Sequence, residues 1–425
     1  MAGTIYSDVI TTSVLPDSMR VIFSNMLEFT ARPTLVFDQP QFVEEWPEFG
    51  AKRGATVTRT VFHQLPRAIA KLVENQDVTA GSAQDHQVSL SIAEYGSAEG
   101  TSEFIDTLSY LGPTSSIVKT LLGPQMALTL DSLAKLAYWY APNINSGAGP
   151  TYRTYANGAR ADRAHLTATD NLTADMVRQV GFRMSVRRVP LIEAQAPSYI
   201  AICHPSVAYD LRNDTNWKDA NLYAGSTRIF NGEVGMMHGV RFLQTDQARI
   251  ANGGALNEQT TLQAGTYNAG TNSVSVASTT GFAVGQEITL HHTGVATTAP
   301  PAGGGGAVSW VAPDGQDPLE ETLVIKSISG STITFTTDLD FTHSSGDYMT
   351  EALDVYPTTF VGGVPALAKG IGLPPEVRVA LPTDRLRRMT YVGWYAILGY
   401  GVARDWSYEL LEICASQNVP LVYAI

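Results

Sequence analysis

Between residues 253 and 350 the chain changes character, and that change excludes one uniform core for the whole protein. The span is dominated by Thr, Ser, Gly and Ala, and carries nine acidic residues against the single basic Lys326. Short alternating runs at residues 273–277, 287–291, 322–328 and 331–336 are strand signals, and Ser329-Gly330 between the last two suits a hairpin turn. Residues 295–312, which include Gly303-Gly-Gly-Gly, are expected to form a flexible loop. Together these predict a small β-barrel or sandwich. Helix and strand patterns mix on both sides of it, so the chain is predicted to be α+β, with the β unit inserted at a surface loop of a parent fold. A length of 425 residues allows two or more cores.

The parent pattern is clearest at residues 115–140. Ile117, Val118, Leu121, Leu122, Met126, Leu130, Leu133, Leu136, Ala137 and Tyr140 recur at helical spacing, while Gly123-Pro124 predicts a bend or restart. Thr173 is the N-cap candidate of a second helix through Met176, Val177 and Val180. Arg178, Arg183, Arg187 and Arg188 lie on or near its end, and Pro190 is its stop signal. A buried strand over residues 198–203, a turn at His204-Pro205, a short helix over 206–213 and a strand over 240–244 follow. Strands return within residues 356–367, 377–380, 389–395 and 408–413.

The N-terminal part reads differently. A short amphipathic helix is predicted over residues 18–29. Pro33, Pro40 and Pro47 then interleave with Phe37, Phe42, Trp46 and Phe49, so no continuous helix is expected and the aromatics call for another surface to lie on. Alternating runs near residues 55–62 and 87–94 predict two strands joined by a long polar tip, an excursion without a core of its own.

Charged residues make up 16% of the chain, against about 25% in ordinary domains. That deficit fits an exterior buried against neighbouring copies, and equally a Thr/Ser-rich extracellular β surface. With a formal net charge of −12, diffuse attraction to DNA or acidic membranes is not expected of the chain as a whole, which leaves room for a local basic patch. The N-terminus lacks the basic and apolar regions of a signal peptide, and no run is long enough to span a bilayer. Cys203 and Cys414 are read as two buried thiols.

Motifs for chemistry are missing. There is no Walker loop, dinucleotide fingerprint, HExxH, GxSxG or EF-hand loop, and Gly303–Gly306 lacks the Lys-Ser/Thr that phosphate binding needs. His291 and His292 point to opposite faces of a strand without nearby ligands, so they read as surface histidines and not a metal site. His204 beside Cys203 reads as a turn or cap residue, not as a thiol's catalytic base. Glu44, Glu45 and Glu48 read as a solvated or partner-facing stretch. Arg385, Arg387 and Arg388, with Arg378, are the densest positive feature and suit phosphates or a neighbour's carboxylates. With Phe37, Phe42 and Trp46 they are the candidate inter-subunit or DNA-facing residues. No catalytic residue, cofactor or metal is expected, and the chain is read as not an enzyme.

The order of several segments resembles a known family. These are Thr101-Ser-Glu-Phe-Ile-Asp, Cys203-His-Pro followed by Asp210-Leu-Arg, and Gly232-Glu-Val-Gly-Met-Met-His-Gly-Val-Arg-Phe. Residues 362–370 and Met389-Thr-Tyr-Val-Gly-Trp-Tyr-Ala-Ile-Leu-Gly-Tyr-Gly-Val complete the pattern. The chain resembles major capsid proteins of tailed bacteriophages with the Hong Kong 97 (HK97-like) fold, most closely those of N4-like phages. The resemblance implies an N-terminal arm over residues 1–49, an extended loop (E-loop) over 50–96 and a peripheral domain with a long spine helix over 97–172. It further implies an axial domain beginning with 173–252, an outward-facing β insertion over 253–350, and a return to the axial and peripheral domains over 351–425. The implied function is self-assembly into pentamers and hexamers of an icosahedral shell around double-stranded DNA. Portal and decoration proteins are the implied partners, in virions assembled in the host cytoplasm, and no cleaved leading segment is expected. The alternative is a tail or surface adhesin that binds through residues 253–350.

Overall fold

The structure is a computed structural model that describes residues 9–10, 36–39, 41–46, 56–62, 85–104, 114–140, 153–156, 163–192, 197–215, 217, 233–292, 295–297, 310–312, 317, 319–380 and 388–417. The chain divides into two units. One takes in Met1–Arg32, Val43–Ala134 and Leu367–Ala403; the other takes in Pro33–Phe42, Lys135–Ala366 and Arg404–Ile425.

The first unit is built on a five-stranded sheet in the order Val9–Ile10, Ala93–Ser102, Met389–Val402, Leu367–Ala380 and Val43–Trp46. Along Met389–Val402 the period-two alternation sends Val392, Trp394, Ala396 and Leu398 to one face, where Leu122 and Leu130 of helix α1 (Thr114–Trp139) meet them. The helix does not restart at Gly123-Pro124: α1 runs through with Pro124 inside it. Proline in a helix interior costs about 3 kcal/mol, and the apolar contacts on either side, Leu122 before and Leu130 after, offset that cost. The glycines of Met389–Val402 have a steric reason. A Cβ on Gly399 would lie 2.0 Å from the Ser91 carbonyl oxygen, so the chain crosses there without a side chain.

The two predicted strands of the excursion pair antiparallel as Thr56–Phe62 and Asp85–Ser91, in register from Thr56 opposite Ser91 to Phe62 opposite Asp85. Val88 and Leu90 are buried while Gln87, Ser89 and Ser91 are exposed, so the base of the ribbon packs one face inward. Its tip and the predicted helix over residues 18–29 lie outside the described residues.

The second unit holds a mixed six-stranded sheet in the order Arg153–Tyr155, Tyr408–Ile413, Tyr356–Val361, Tyr199–Cys203, Val240–Gln244 and Glu233–Met237. Three of these strands, Tyr199–Cys203, Tyr356–Val361 and Tyr408–Ile413, are buried at every position. Helix α2 (Ala174–Val186) starts at Thr173, whose side-chain oxygen accepts from the Met176 N–H. It ends ahead of Pro190: Arg188 takes a left-handed φ of 60°, and the Val189 and Arg188 N–H groups donate to the Met184 and Ser185 carbonyls, a Schellman closure. Helix α3 (Pro205–Asn213) follows the central strand and is capped by His204.

Between Val240–Gln244 and Tyr356–Val361, two strands of that one sheet, the chain builds a separate antiparallel sheet. Its order is Leu256–Thr261, Tyr348–Ala352, Glu287–His291, Glu321–Ser329, Thr332–Phe335 and Ser273–Ser275. The two end strands are joined by a bridge between Leu262 and Val276, flanked by Gln263 N–H to Ser275 O and Ala277 N–H to Thr261 O, so the sheet closes into a small barrel. Val274, Ile288, Leu290, Leu323, Ile325, Ile333, Phe335 and Met349 fill its interior. Gly330, with φ of 60°, makes the tight turn from Glu321–Ser329 into Thr332–Phe335. The stretch expected to be a flexible loop is structured at its ends, since Val295–Thr297 pairs with Trp310–Ala312. Cross-strand pairing there needs no strong sequence pattern, which is why alternation did not reveal it.

Candidate assembly surfaces

The aromatic residues expected to face a neighbour do not. Phe37 and Phe42 are completely enclosed and Trp46 is 4% exposed, which removes all three from any contact with a second copy or with DNA. Their burial is met within the chain. Phe37 lies 6.4 Å edge-on to Trp139 and 6.4 Å from Tyr138 at the end of α1, and the Tyr138 hydroxyl donates to the Phe42 carbonyl. In the first unit, Trp46 is covered by the Arg59 guanidinium at 5.4 Å, and Arg59 pairs with Glu44 at 2.6 Å. Glu45 is exposed, and Glu48 lies outside the described residues. Proline spacing predicted an extended segment, but it carries no information about which surface that segment meets.

The arginine candidates separate. Arg385 and Arg387 lie outside the described residues. Arg388 is exposed, and its backbone carbonyl accepts from the Glu103 N–H. Arg378 is more than half exposed, pairs with Glu376 at 2.7 Å and stacks 4.2 Å over Tyr395. Arg378 and Tyr395 line a shallow cleft of about 710 Å³ that also takes in Glu94, Tyr391 and Trp394, while Val377 is exposed on the other face of its strand. Tyr, Trp and Arg with little free charge is the composition of contact surfaces.

A second exposed apolar face lies on α2, which the sequence reading treated only for its buried side. Phe182 is 68% exposed and Val186, one turn on, is 64% exposed, with Leu191 beyond them. Their outward placement could have been seen in the sequence. The buried residues Met176, Val177, Val180 and Met184 fix the inner face, and Phe182 falls opposite it.

Polar groups inside the second unit are committed to structure. Arg163 and Glu412, both essentially unexposed, form a two-pronged pair at 2.8 Å on each prong, with Arg153 a further 3.4 Å away. Burial alone would push the Glu412 carboxyl up, but the Arg163 charge and hydrogen bonds outweigh it and hold the carboxyl below its usual range. Arg183 and Arg187 of the α2 end both reach Glu409, at 2.6 and 2.7 Å; burial still raises that carboxyl above its ordinary value despite the two guanidiniums. Neither pair was found in the sequence, because the partners are more than 200 residues apart. The one signal was two Glu residues inside an otherwise apolar terminal strand.

His204 has the predicted capping role: its Nδ1 accepts from the Ser206 N–H at 3.2 Å, and burial, helped by the Arg249 charge, lowers it to about 4. Burial raises the neighbouring Cys203 thiol to about 12, so it is not a thiolate nucleophile. The expectation for His291 and His292 as surface residues fails. His291 is fully buried, donor or acceptor to the Thr350 hydroxyl at 2.7 Å and stacked on Tyr348, while His292 is only partly exposed. Strand alternation did turn them apart, but closure of the barrel enclosed both sides.

No helix among the described residues is long and apolar enough to cross a membrane. Residues 140–290 match the family described as phage capsid protein. No curated protein matches the chain in sequence. Solved structures do match along nearly its whole length. The capsid of Ralstonia phage GP4 is 13% identical, covers 95% of this chain and 97% of its own, and gives a TM-score of 0.56. The Cyanophage Pam1 capsid asymmetric unit is 11% identical over 97% of this chain and 100% of its own, at 0.58. The acid-stable capsid of Helicobacter pylori bacteriophage KHP30 is 10% identical over 97% and 100%, at 0.53. From end to end, therefore, this chain has the fold of phage capsid chains, and residues 140–290 carry the phage capsid sequence signature.

Proposed function

We propose that the chain is a major capsid protein, a structural virion subunit that assembles through its own copies into a bacteriophage shell. The observation that carries this reading is the fold match to capsid chains over nearly the full length of both partners. Two exposed features support it: the α2 face of Phe182 and Val186, and, in the first unit, the exposed Arg378 stacked on Tyr395. Contiguous apolar exposure of this kind is a cost to a monomer and a contact to an assembly. Closed rings and overlapping segments are the symmetric ways to tile such contacts into a container.

At finer grain, the proposed architecture is the Hong Kong 97 type, of the N4-like group, with pentamers and hexamers closing an icosahedral shell around double-stranded DNA. Helix α1 serves as the spine, residues 50–96 as the loop that overlaps a neighbour, and the barrel of residues 256–352 as an outward-facing domain. The arm is confined to the residues ahead of Val36, since Val36, Phe37, Phe42, Val43 and Trp46 are buried in their own chain. Arg378, Arg385, Arg387 and Arg388 meet DNA phosphates or a neighbour's carboxylates, in non-specific contacts. Portal and decoration proteins complete the particle, which forms in the host cytoplasm.

The test is sedimentation of the purified chain through a density gradient, with negative-stain images of the fast fraction. The reading expects closed shells of uniform diameter. Monomers under every assembly condition, with no particles in the fast fraction, would reject it.

A further inference from the structure

The barrel brings together side chains that no linear motif announced. His292 follows the Glu287–His291 strand, His343 begins the His343–Ser344 strand, and Asp347 sits in the turn that follows. His292 Nε2 lies 3.0 Å from Asp347 Oδ2, and His343 Nδ1 lies 3.4 Å from the same oxygen. All three donor atoms fall within 4.8 Å of one another. The two imidazole rings stack at 5.4 Å.

The outer nitrogens are held by a second ring of carboxylates. His343 Nε2 is 2.8 Å from Glu321 Oε1, and His292 Nδ1 is 3.2 Å from Asp317 Oδ2. Those carboxylates are fixed by backbone donors: Asp340 N–H to Glu321, and the His292 and Leu319 N–H groups to Asp317. Asp347 is oriented in the same way by the Ser344 N–H at 2.7 Å. In the tautomer that donates from the outer nitrogen to its carboxylate, the inner nitrogen is a bare lone pair. His343 is 0% exposed, yet its inner Nδ1 makes no hydrogen bond. A buried lone pair facing a carboxylate and a second imidazole is an arrangement that a cation between them would stabilise. Residues 253–350 supply one basic side chain, Lys326, so arginine does not play that part as it does for Glu412.

We infer that His292, His343 and Asp347 form a binding site for one divalent transition-metal ion of the zinc class, with Glu321 and Asp317 as its orienting carboxylates. Two imidazoles and one carboxylate select borderline ions over calcium or magnesium, which take oxygen ligands. Around a tetrahedral zinc with bonds of about 2.0–2.1 Å, donor atoms stand roughly 3.4 Å apart, close to the 3.0 and 3.4 Å from the two histidines to Asp347. A carboxylate on the far nitrogen of each ligating histidine is the usual support of such ligands. His292, with 29% of its side chain exposed, leaves a route for the ion and room for water as the fourth ligand. The ion would tie the end of the Glu287–His291 strand to the 343–347 turn and, through the outer carboxylates, to residues 317–321. This site stands whether or not the chain forms shells.

The test uses the full chain without an affinity tag, stripped with chelator and titrated with Zn²⁺ by calorimetry and with Co²⁺ by visible absorption. The expected result is one ion per chain, a cobalt spectrum of four- or five-coordinate type, and a zinc-dependent rise in unfolding temperature. Asp347→Asn, which keeps the side chain's shape, and His292→Ala, at a partly exposed position, should each weaken binding roughly 100-fold or more, and Asp317→Asn roughly 10-fold. Circular dichroism shows whether each variant is folded. Wild-type chain that takes up no ion near one equivalent would overturn the inference. So would undiminished binding in folded Asp347→Asn and His292→Ala, which would mean an adventitious ion held elsewhere.

Discussion

In the sheet that contains Tyr408–Ile413, buried carboxylates face guanidinium groups; in the barrel of residues 256–352 they face imidazoles. Both regions lie in one unit of the chain and both surround their charges with apolar cores. A guanidinium stays charged at every pH a protein survives, so Arg163 with Glu412 is a permanent pin. An imidazole offers lone pairs in place of a fixed charge, and the barrel's cluster is the metal site inferred above. The junction between them follows the first rule: Arg249 pairs with Asp354 at 2.7 Å and with Glu287 at the foot of the barrel. Within one fold, the sheet pairs its buried carboxylates with guanidiniums and the barrel pairs them with imidazoles.

The strongest way to break that contrast is Arg163→Met. It leaves Glu412 buried without its partner and should cost about 3–5 kcal/mol, read from urea unfolding. Adding Glu412→Leu should recover most of the loss. The sign of the pH effect follows from the lowered Glu412 carboxyl: its stabilisation is present above the ordinary carboxylate range and is lost as pH falls through the lower folded value. That acid-side loss should shrink in the double variant.

His204 sharpens the comparison because it is a histidine among arginines. Held neutral near Arg249, it is lowered to about 4 from 6.5. The unfolded chain therefore takes up the proton first. Its contribution is full above pH 6.5, declines as pH falls towards 4, and amounts to at most about 3 kcal/mol. His204→Asn retains a capping side chain and should flatten unfolding measurements across that window. An unchanged slope would mean that His204 is not the group responsible.

How much of this was legible in the sequence differs between the same two regions. Many of the strands, the three helices and the separate β segment follow from apolar spacing, and Thr173 and His204 from cap chemistry; the strands Arg153–Tyr155, Leu256–Thr261 and Tyr348–Ala352 do not. Partners brought together by topology do not. Arg163 and Glu412 are 249 positions apart, and His292 meets His343 and Asp347 only because the barrel closes. Phe37 and Phe42 were misplaced for a related reason: aromatic spacing shows that a side chain needs cover, and only the fold shows that Tyr138 and Trp139 provide it.

Smaller effects lie at the edges of α2. Thr173→Ala removes the cap bond to Met176 and should cost about 1 kcal/mol, measured by thermal unfolding. Phe182→Ser, on the exposed face, should change stability by less than about 0.5 kcal/mol, while particle yield in a sedimentation assay falls sharply. A variant that assembles as well as wild type would remove that face from the proposed contacts.

The most direct measurement is a cryo-electron microscopy reconstruction of particles assembled from the purified chain. The account predicts closed icosahedral shells in which each copy has the fold described, the Phe182 and Val186 face meets a neighbouring copy, and the barrel of residues 256–352 points outward. Open aggregates, or particles in which that helix face stays in solvent and the barrel lines the interior, would contradict it.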